Sequence, residues 1–118
     1  MAVHNEIGKH GEQLAANWLE KKGWQILERN WRFSHVEIDI IAFYEEKLHF
    51  VEVKTRTDIR YGLPEDSVTP IKFRNIKKAA NVYIKKFPKI KWIQFDIVSI
   101  LILKNKVPEF YLLADIYF

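Results

Sequence analysis

Apolar residues near the start of the chain recur every three or four positions. Ile7, Gly11, Leu14, Ala15, Trp18 and Leu19 fall on one side when successive residues are turned by about 100°. The spacing predicts a helix from Asn5 to Lys22, stopped by Gly23. Lys9, Gln13, Asn17 and Glu20 take the polar side, while Glu12 falls at the margin, between Leu19 and Ala16. A flanking glutamate of that kind ordinarily runs its stem along the apolar surface and keeps its carboxylate in water. The wheel alone therefore gives Glu12 no special role.

The period then changes. WQILERNWRF (Trp24 to Phe33), VEIDIIAF (Val36 to Phe43) and KLHFVEVKT (Lys47 to Thr55) are short, rich in aromatic and β-branched residues, and separated by polar breaks. They predict three strands in a meander. RTDIRYGLPEDSV, Arg56 to Val68, holds Gly62 and Pro64 and no clear period, so it reads as a loop. Thr69-Pro70 starts a second helix, Thr as N-cap and Pro at the first helical position. This helix runs to about Lys86, buries Phe73, Ile76, Ala80, Tyr83 and Ile84 or Phe87, and is ended by Pro88. Two strands close the chain, Trp92 to Leu103 and Glu109 to Phe118. The order αβββαββ, without repeat or linker, describes one α/β or α+β domain over residues 1–118 with helices packed on a sheet.

Within this pattern the third strand is odd. Alternation places Glu52 and Lys54 on one face with Leu48 and Phe50, and His49, Val51, Val53 and Thr55 on the other. A loop centred on Glu45 and Glu46 sets the register with the preceding strand, so that Asp39 faces Glu52 and Glu37 faces Lys54, Cβ atoms roughly 5 Å apart. Like charges opposed on a sheet destabilise it. A solvated face on which Glu37 pairs with Lys54 is one explanation, since charged strand faces are common in antiparallel sheets. The apolar neighbours Ile41, Phe43, Leu48 and Phe50 argue that the face is covered, by the first helix on this reading, and buried carboxylates need partners. A divalent cation supplies one. Mg²⁺ takes oxygen ligands from a carboxylate or two and completes its shell with water and phosphate. Asp39 and Glu52 are the candidate ligands, Lys54 the group that orients water or the scissile phosphate, and Glu12 a further ligand or base reaching in from the first helix.

Composition narrows the field without choosing a function. The chain has 118 residues, 48% hydrophobic and 29% charged, which is globular and long enough for one modest core. No cysteine occurs, which excludes disulfides, thiolate metal sites and a cysteine nucleophile, and fits a reducing cytoplasm. There is no secretory h-region and no run long enough to span a membrane, so a soluble, cytoplasmic protein is expected. Lys and Arg number 19 against 15 Asp and Glu, a net charge of +4. The excess is concentrated, because no acid occurs between Asp66 and Asp96. Lys72, Arg74, Lys77 and Lys78, with Arg56 and Arg60 beyond the third strand, form a basic set suited to phosphates without base reading. A solvated helix face is the usual fate of such a run.

Asp39, then Glu52-Val53-Lys54 on the next strand, after a helix carrying Glu12, resembles the PD-(D/E)xK nuclease superfamily. The wider set is similar to the small bacterial YraN family, related to archaeal Holliday junction resolvases. It comprises Gly8, Gly11-Glu12, Ala15, Leu19, Gly23, Arg29-Asn30, Glu37-Ile38-Asp39, Ile41-Ala42 and Phe50 through Arg56. The similarity continues through Pro64, the helix after Pro70 and Phe95-Asp96. It implies a restriction-endonuclease-like mixed sheet and hydrolysis of DNA phosphodiesters, in branched or structured DNA. It also implies Mg²⁺ or Mn²⁺ as cofactor at Glu12, Asp39 and Glu52, with Lys54 catalytic, and a homodimer. One position departs: Val36 stands where the family has glycine, which bears on how the strand entrance meets a nucleic-acid backbone. Two alternatives stay open, a catalytically inactive nucleic-acid-binding protein that keeps the nuclease fold, and an interaction protein whose charges are surface pairs.

The remaining residues have simpler explanations. His10, His35 and His49 share no ligand spacing, and packing or surface roles are expected of them. Trp18, Trp24, Trp31 and Trp92 are expected in the core, and Asp96 as a structural partner for a base.

Overall fold

The computed structural model describes residues 2–57 and 68–116. Helix α1 (Ala2–Lys21) is followed by β1 (Gln25–Phe33), β2 (Val36–Tyr44) and β3 (Lys47–Arg56), then α2 (Pro70–Tyr83), β4 (Trp92–Leu101) and β5 (Glu109–Leu113). The five strands form one sheet in the order β1-β2-β3-β4-β5. β3 and β4 are parallel and the other neighbours antiparallel. A parallel neighbour needs a crossover of a dozen residues or more, and α2 is that crossover. The protein is an α/β mixed-sheet structure of order αβββαββ, as a restriction-endonuclease-like core requires.

Local chemistry sets the element ends. Gly23 has φ of 95° and closes α1 with paired bonds, Gly23 N–H to Glu20 C=O (3.0 Å) and Trp24 N–H to Leu19 C=O (3.1 Å). This is the Schellman arrangement, with Trp24 packed in the same cluster as Leu19. Thr69 caps α2 by accepting from Lys72 N–H at 3.2 Å, with Pro70 in the first turn. The helix tightens into a 3₁₀ turn over Ile84–Lys86. Glu45 and Glu46 have φ of 50° and 65°, the two left-handed residues of a tight hairpin turn. The last two strands are shorter than expected, ending at Leu101 and Leu113, and the middle of the predicted loop, 58–67, lies outside the described residues with Arg60.

The two helices cover opposite faces of the sheet. Ala15, Ala16 and Leu19 of α1 pack on Ile40, Ala42, Val51, Val98 and Ile100. Ile76, Ala79, Ala80 and Tyr83 of α2 pack on Ile38, Ile41, Leu48 and Phe50. The face of Ile41, Phe43, Leu48 and Phe50 is thus covered by α2, where the sequence reading placed the first helix. Periodicity identifies an apolar face but not its partner. α1 crosses β3 closely at Gly11, which is buried, and a Cβ there would overlap the Thr55 side chain. That contact fixes the depth at which the next residue, Glu12, meets the strands. Three of the four tryptophans pack against the core clusters, but Trp92 is 66% exposed, contrary to expectation.

Candidate metal centre

The register of the β2–β3 hairpin is the expected one, running from Tyr44 opposite Lys47 to Ile40 opposite Val51. The ladder stops there. In place of a backbone pair between Asp39 and Glu52, the Asp39 carboxylate accepts the Val53 N–H at 2.8 Å. The strict alternation also fails at this point, because Ile38 and Ile41 share the α2 cluster while Ile40 packs under α1. The two strands separate around Asp39, and acidic side chains gather there.

Oxygen atoms of Glu12, Glu37 and Asp39 lie within 4.8 Å of one another. Glu12 comes from α1 and is oriented by Asn30 of β1, whose Nδ2 donates to Glu12 Oε1 at 2.9 Å. Asn30 is left-handed (φ 52°) inside a strand, a conformation asparagine tolerates better than most residues. Beside it, Arg29 donates to Gln13 Oε1 at 2.6 Å and tethers the same turn of α1. Glu37 is held by Arg32 at 2.8 Å, its cross-strand neighbour on β1, and not by Lys54, the partner it would have had on a solvated face.

The field at this point is negative. Burial, then the charges of Glu52, Glu12 and Glu37, push the Asp39 carboxyl up to about 8 against the single favourable bond from Val53. Burial and then Glu37 and Glu52 also raise Glu12, with Arg29 opposing. Three convergent carboxylates with one backbone donor and few bases are a donor set suited to a hard divalent cation.

The other sequence-predicted residues fall in different places. Glu52 acts on Asp39 and Glu12 through its charge but lies outside the three-oxygen group. Its carboxylate, 16% exposed, accepts from Lys72 Nζ at 2.9 Å. Lys72 therefore reaches across from α2 to the acids, and was not foreseen there. Lys54 is exposed and makes no ion pair among the described residues. It shares an open cleft of about 290 Å³ with Glu12, bounded by Ile7, Gly8, Val53 and Thr55. Arg74, Lys77 and Lys78 stand exposed on the outer side of α2, Lys77 over the Phe73 ring at 5.6 Å. Arg56 sits at the end of β3, its carbonyl accepting the Ile102 N–H at 2.8 Å. Sequence reasoning gave Glu37 a pairing role only and none to Asn30 beyond the motif. A polar residue next to Arg29 in a run otherwise read as strand was the one available signal for Asn30.

Fold and site together define a class: a mixed-sheet α/β protein of restriction-endonuclease-like topology, with carboxylates collected where its central hairpin opens. The chain belongs to the uncharacterised protein family UPF0102, the YraN family, whose family model matches residues 11–100. It is 47% identical over 105 residues to a UPF0102 protein of Syntrophomonas wolfei, covering 88% of this chain and 91% of that one. A Flavobacterium johnsoniae relative is 49% identical over 104 residues, 85% of each chain, and one from Flavobacterium psychrophilum 48% over 100 residues, 85% of this chain and 84% of that protein. No helix among the described residues is long and apolar enough to cross a membrane.

Proposed function

We propose that this protein is a divalent-metal-dependent phosphodiesterase acting on structured DNA. The observation that carries the reading is the convergence of Glu12, Glu37 and Asp39 within 4.8 Å, at a point where Asp39 is pushed up to about 8. Glu12, Glu37 and Asp39 would hold Mg²⁺ or Mn²⁺, with Glu52 close enough to influence them. Bound there, such an ion supplies a more acidic water and charge neutralisation on a phosphoryl oxygen. Lys54 extends into the cleft it shares with Glu12, free of any carboxylate among the described residues, and holds a phosphate or the attacking water by its ammonium. Asn30 orients the Glu12 carboxylate, and Arg32 does the same for Glu37. The exposed cations of α2, Arg74, Lys77 and Lys78, contribute salt-dependent attraction to the backbone without reading bases.

A second reading is favoured by one contact. The Lys72–Glu52 ion pair engages a carboxylate that the resemblance assigns to the metal, which fits a nucleic-acid-binding protein that keeps the fold without turnover. Calorimetric titration of Mn²⁺ into wild type and Asp39→Asn, beside cleavage of junction, flap, single-stranded and duplex DNA, separates the two. Stoichiometric Mn²⁺ binding lost in Asp39→Asn, with cleavage of at least one substrate, is the expected result. Cation binding with no cleavage supports the second reading, and no cation binding removes the first.

A further inference from the structure

We propose that the hairpin end of the sheet, around Trp92, is a docking site for an unpaired segment of nucleic acid: a base stacked on the indole and neighbouring phosphates held by Lys89 and Lys91. The inference deepens the nucleic-acid reading above and rests on it.

An indole left 66% exposed is an uncovered large apolar surface, and Ile93 beside it is 36% exposed. Trp92 makes no ring contact with another side chain among the described residues, in contrast to Trp18, Trp24 and Trp31, each stacked or packed edge-on against a neighbour. An open cavity of about 370 Å³ lies against it, lined by Phe43, Glu46, Lys89, Ile90, Lys91 and Trp92. That volume falls at the small end of the roughly 300–1,000 Å³ typical of ligand sites.

The charges choose the occupant. Lys89 and Lys91 are exposed and form no ion pair among the described residues. They belong to the stretch between Asp66 and Asp96 that holds no acid. Exposed Lys85 and Lys86 precede them, Lys86 lying over the Tyr83 ring at 5.0 Å. Among the described residues Glu46 is the single acid lining the cavity. A second copy of this chain docked symmetrically here would bring the same lysines face to face, an unfavourable contact. An aromatic platform beside a pair of ammonium groups is the usual apparatus for single strands, since every base has a face to stack and every nucleotide a phosphate.

The position relates this site to the carboxylates. Trp92 is paired with Lys47 and Ile97 with Glu52, so five residues of parallel strand separate the two levels, about 17 Å. An unpaired tail leaving a duplex held at the acids would have that distance to cover. The inferred substrate class is therefore DNA with a single-stranded segment adjoining the paired region.

The test is equilibrium binding by fluorescence anisotropy with the full chain in EDTA, so that affinity is read without cleavage. The probes are a blunt duplex and a duplex of equal paired length carrying an unpaired thymidine tail. Wild type is expected to bind the tailed probe about tenfold more tightly, on the scale of stacking one base. Trp92→Ala should lose that increment and keep its blunt-duplex affinity within about twofold, since the duplex contacts lie elsewhere. Trp92→Phe should retain most of the increment, and Lys89→Ala/Lys91→Ala should lose part of it. A tail increment that survives Trp92→Ala, or is absent from wild type, overturns the proposal. So does sedimentation showing that Trp92→Ala converts a dimer into a monomer, which would assign the patch to a second copy. Tail binding that depends on Trp92 in a protein that binds no Mn²⁺ and cleaves nothing would leave this inference standing and remove the phosphodiesterase.

Discussion

Two carboxylates sit inside this sheet in contrasting company. Asp96 of β4, 1% exposed, has its Oδ2 at 2.7 Å from His49 Nδ1. Its Oδ1 accepts from Gln94 Nε2 and from the Asp115 N–H, each at 2.8 Å. Asp39 of β2 has the Val53 N–H and otherwise faces Glu12, Glu37 and Glu52. Both side chains interrupt an apolar sheet, yet one is surrounded by donors and the other by acids. A carboxylate supplied with donors serves the fold. One left among like charges costs stability, and the proposed cation would offset that cost.

The strongest way to break this contrast is to remove Asp96. Asp96→Ala takes the carboxylate from His49, Gln94 and the Asp115 N–H, and a buried polar group left without its partner costs about 1–3 kcal/mol. Urea denaturation should show that loss at pH 7, and a change below about 1 kcal/mol would show that the pair is not structural. In the other region, Lys54→Ala should reduce DNA cleavage by a factor on the order of 10²–10³, the range found for removing one preorganised electrostatic group. Mn²⁺ affinity, read by calorimetry, should stay within about threefold, because Lys54 is not a ligand.

Asp39→Asn should act on stability in the direction opposite to Asp96→Ala. The folded-state value of about 8 lies above the ordinary 3.8, so between those pH values the folded protein keeps a proton that the unfolded chain has released. The stabilising contribution is full below about pH 4 and is lost as pH rises through about 8. The amide escapes that loss. After allowance for solvent screening, metal-free Asp39→Asn should exceed wild type by on the order of 2 kcal/mol above pH 8 and match it near pH 4. Thermal melts across that range in EDTA would measure the difference. A wild-type advantage at high pH would mean that Asp39 has donors enough, as Asp96 does.

Much of this contrast was legible in the sequence, and the missing part has a physical cause. Alternation and a turn at Glu45-Glu46 placed Asp39 beside Glu52, and the hairpin has the register they imply. Thr69-Pro70 marked the start of α2, and Phe73, Ile76, Ala80 and Tyr83 are buried as its spacing required. Asp96 was expected to pair with a base, but strand patterning could not choose His49, which lies on the parallel neighbour 47 residues earlier. Alternation also assumes a continuous ladder. It could not show that the pairing ends at Ile40, that Asp39 takes a backbone donor, or that Ile38 changes cluster. Trp92 was misplaced because composition favours tryptophan in cores, and nothing local says that the strand begins at the rim.

Glu52 stands between the two cases, and Lys72 is what places it there. Among the described residues its carboxylate has one ammonium partner, 43% exposed, and so is neither surrounded by donors nor left among acids. Lys72→Ala should cost little stability, about 0–1 kcal/mol, as half-exposed ion pairs do. The loss of a nearby positive charge should at the same time deepen the negative field at Asp39. Mn²⁺ affinity should then rise by up to about tenfold at low ionic strength, and by less at 0.5 M salt as screening shortens the reach of the missing charge. Unchanged Mn²⁺ affinity at both salt concentrations would mean that Lys72 and Glu52 form a closed pair, electrically separate from the Asp39 cluster. A weaker affinity would mean that Lys72 holds Glu52 in the position the cation uses. The sign of this small effect decides whether Glu52 belongs with the structural carboxylate or with those proposed to hold the cation.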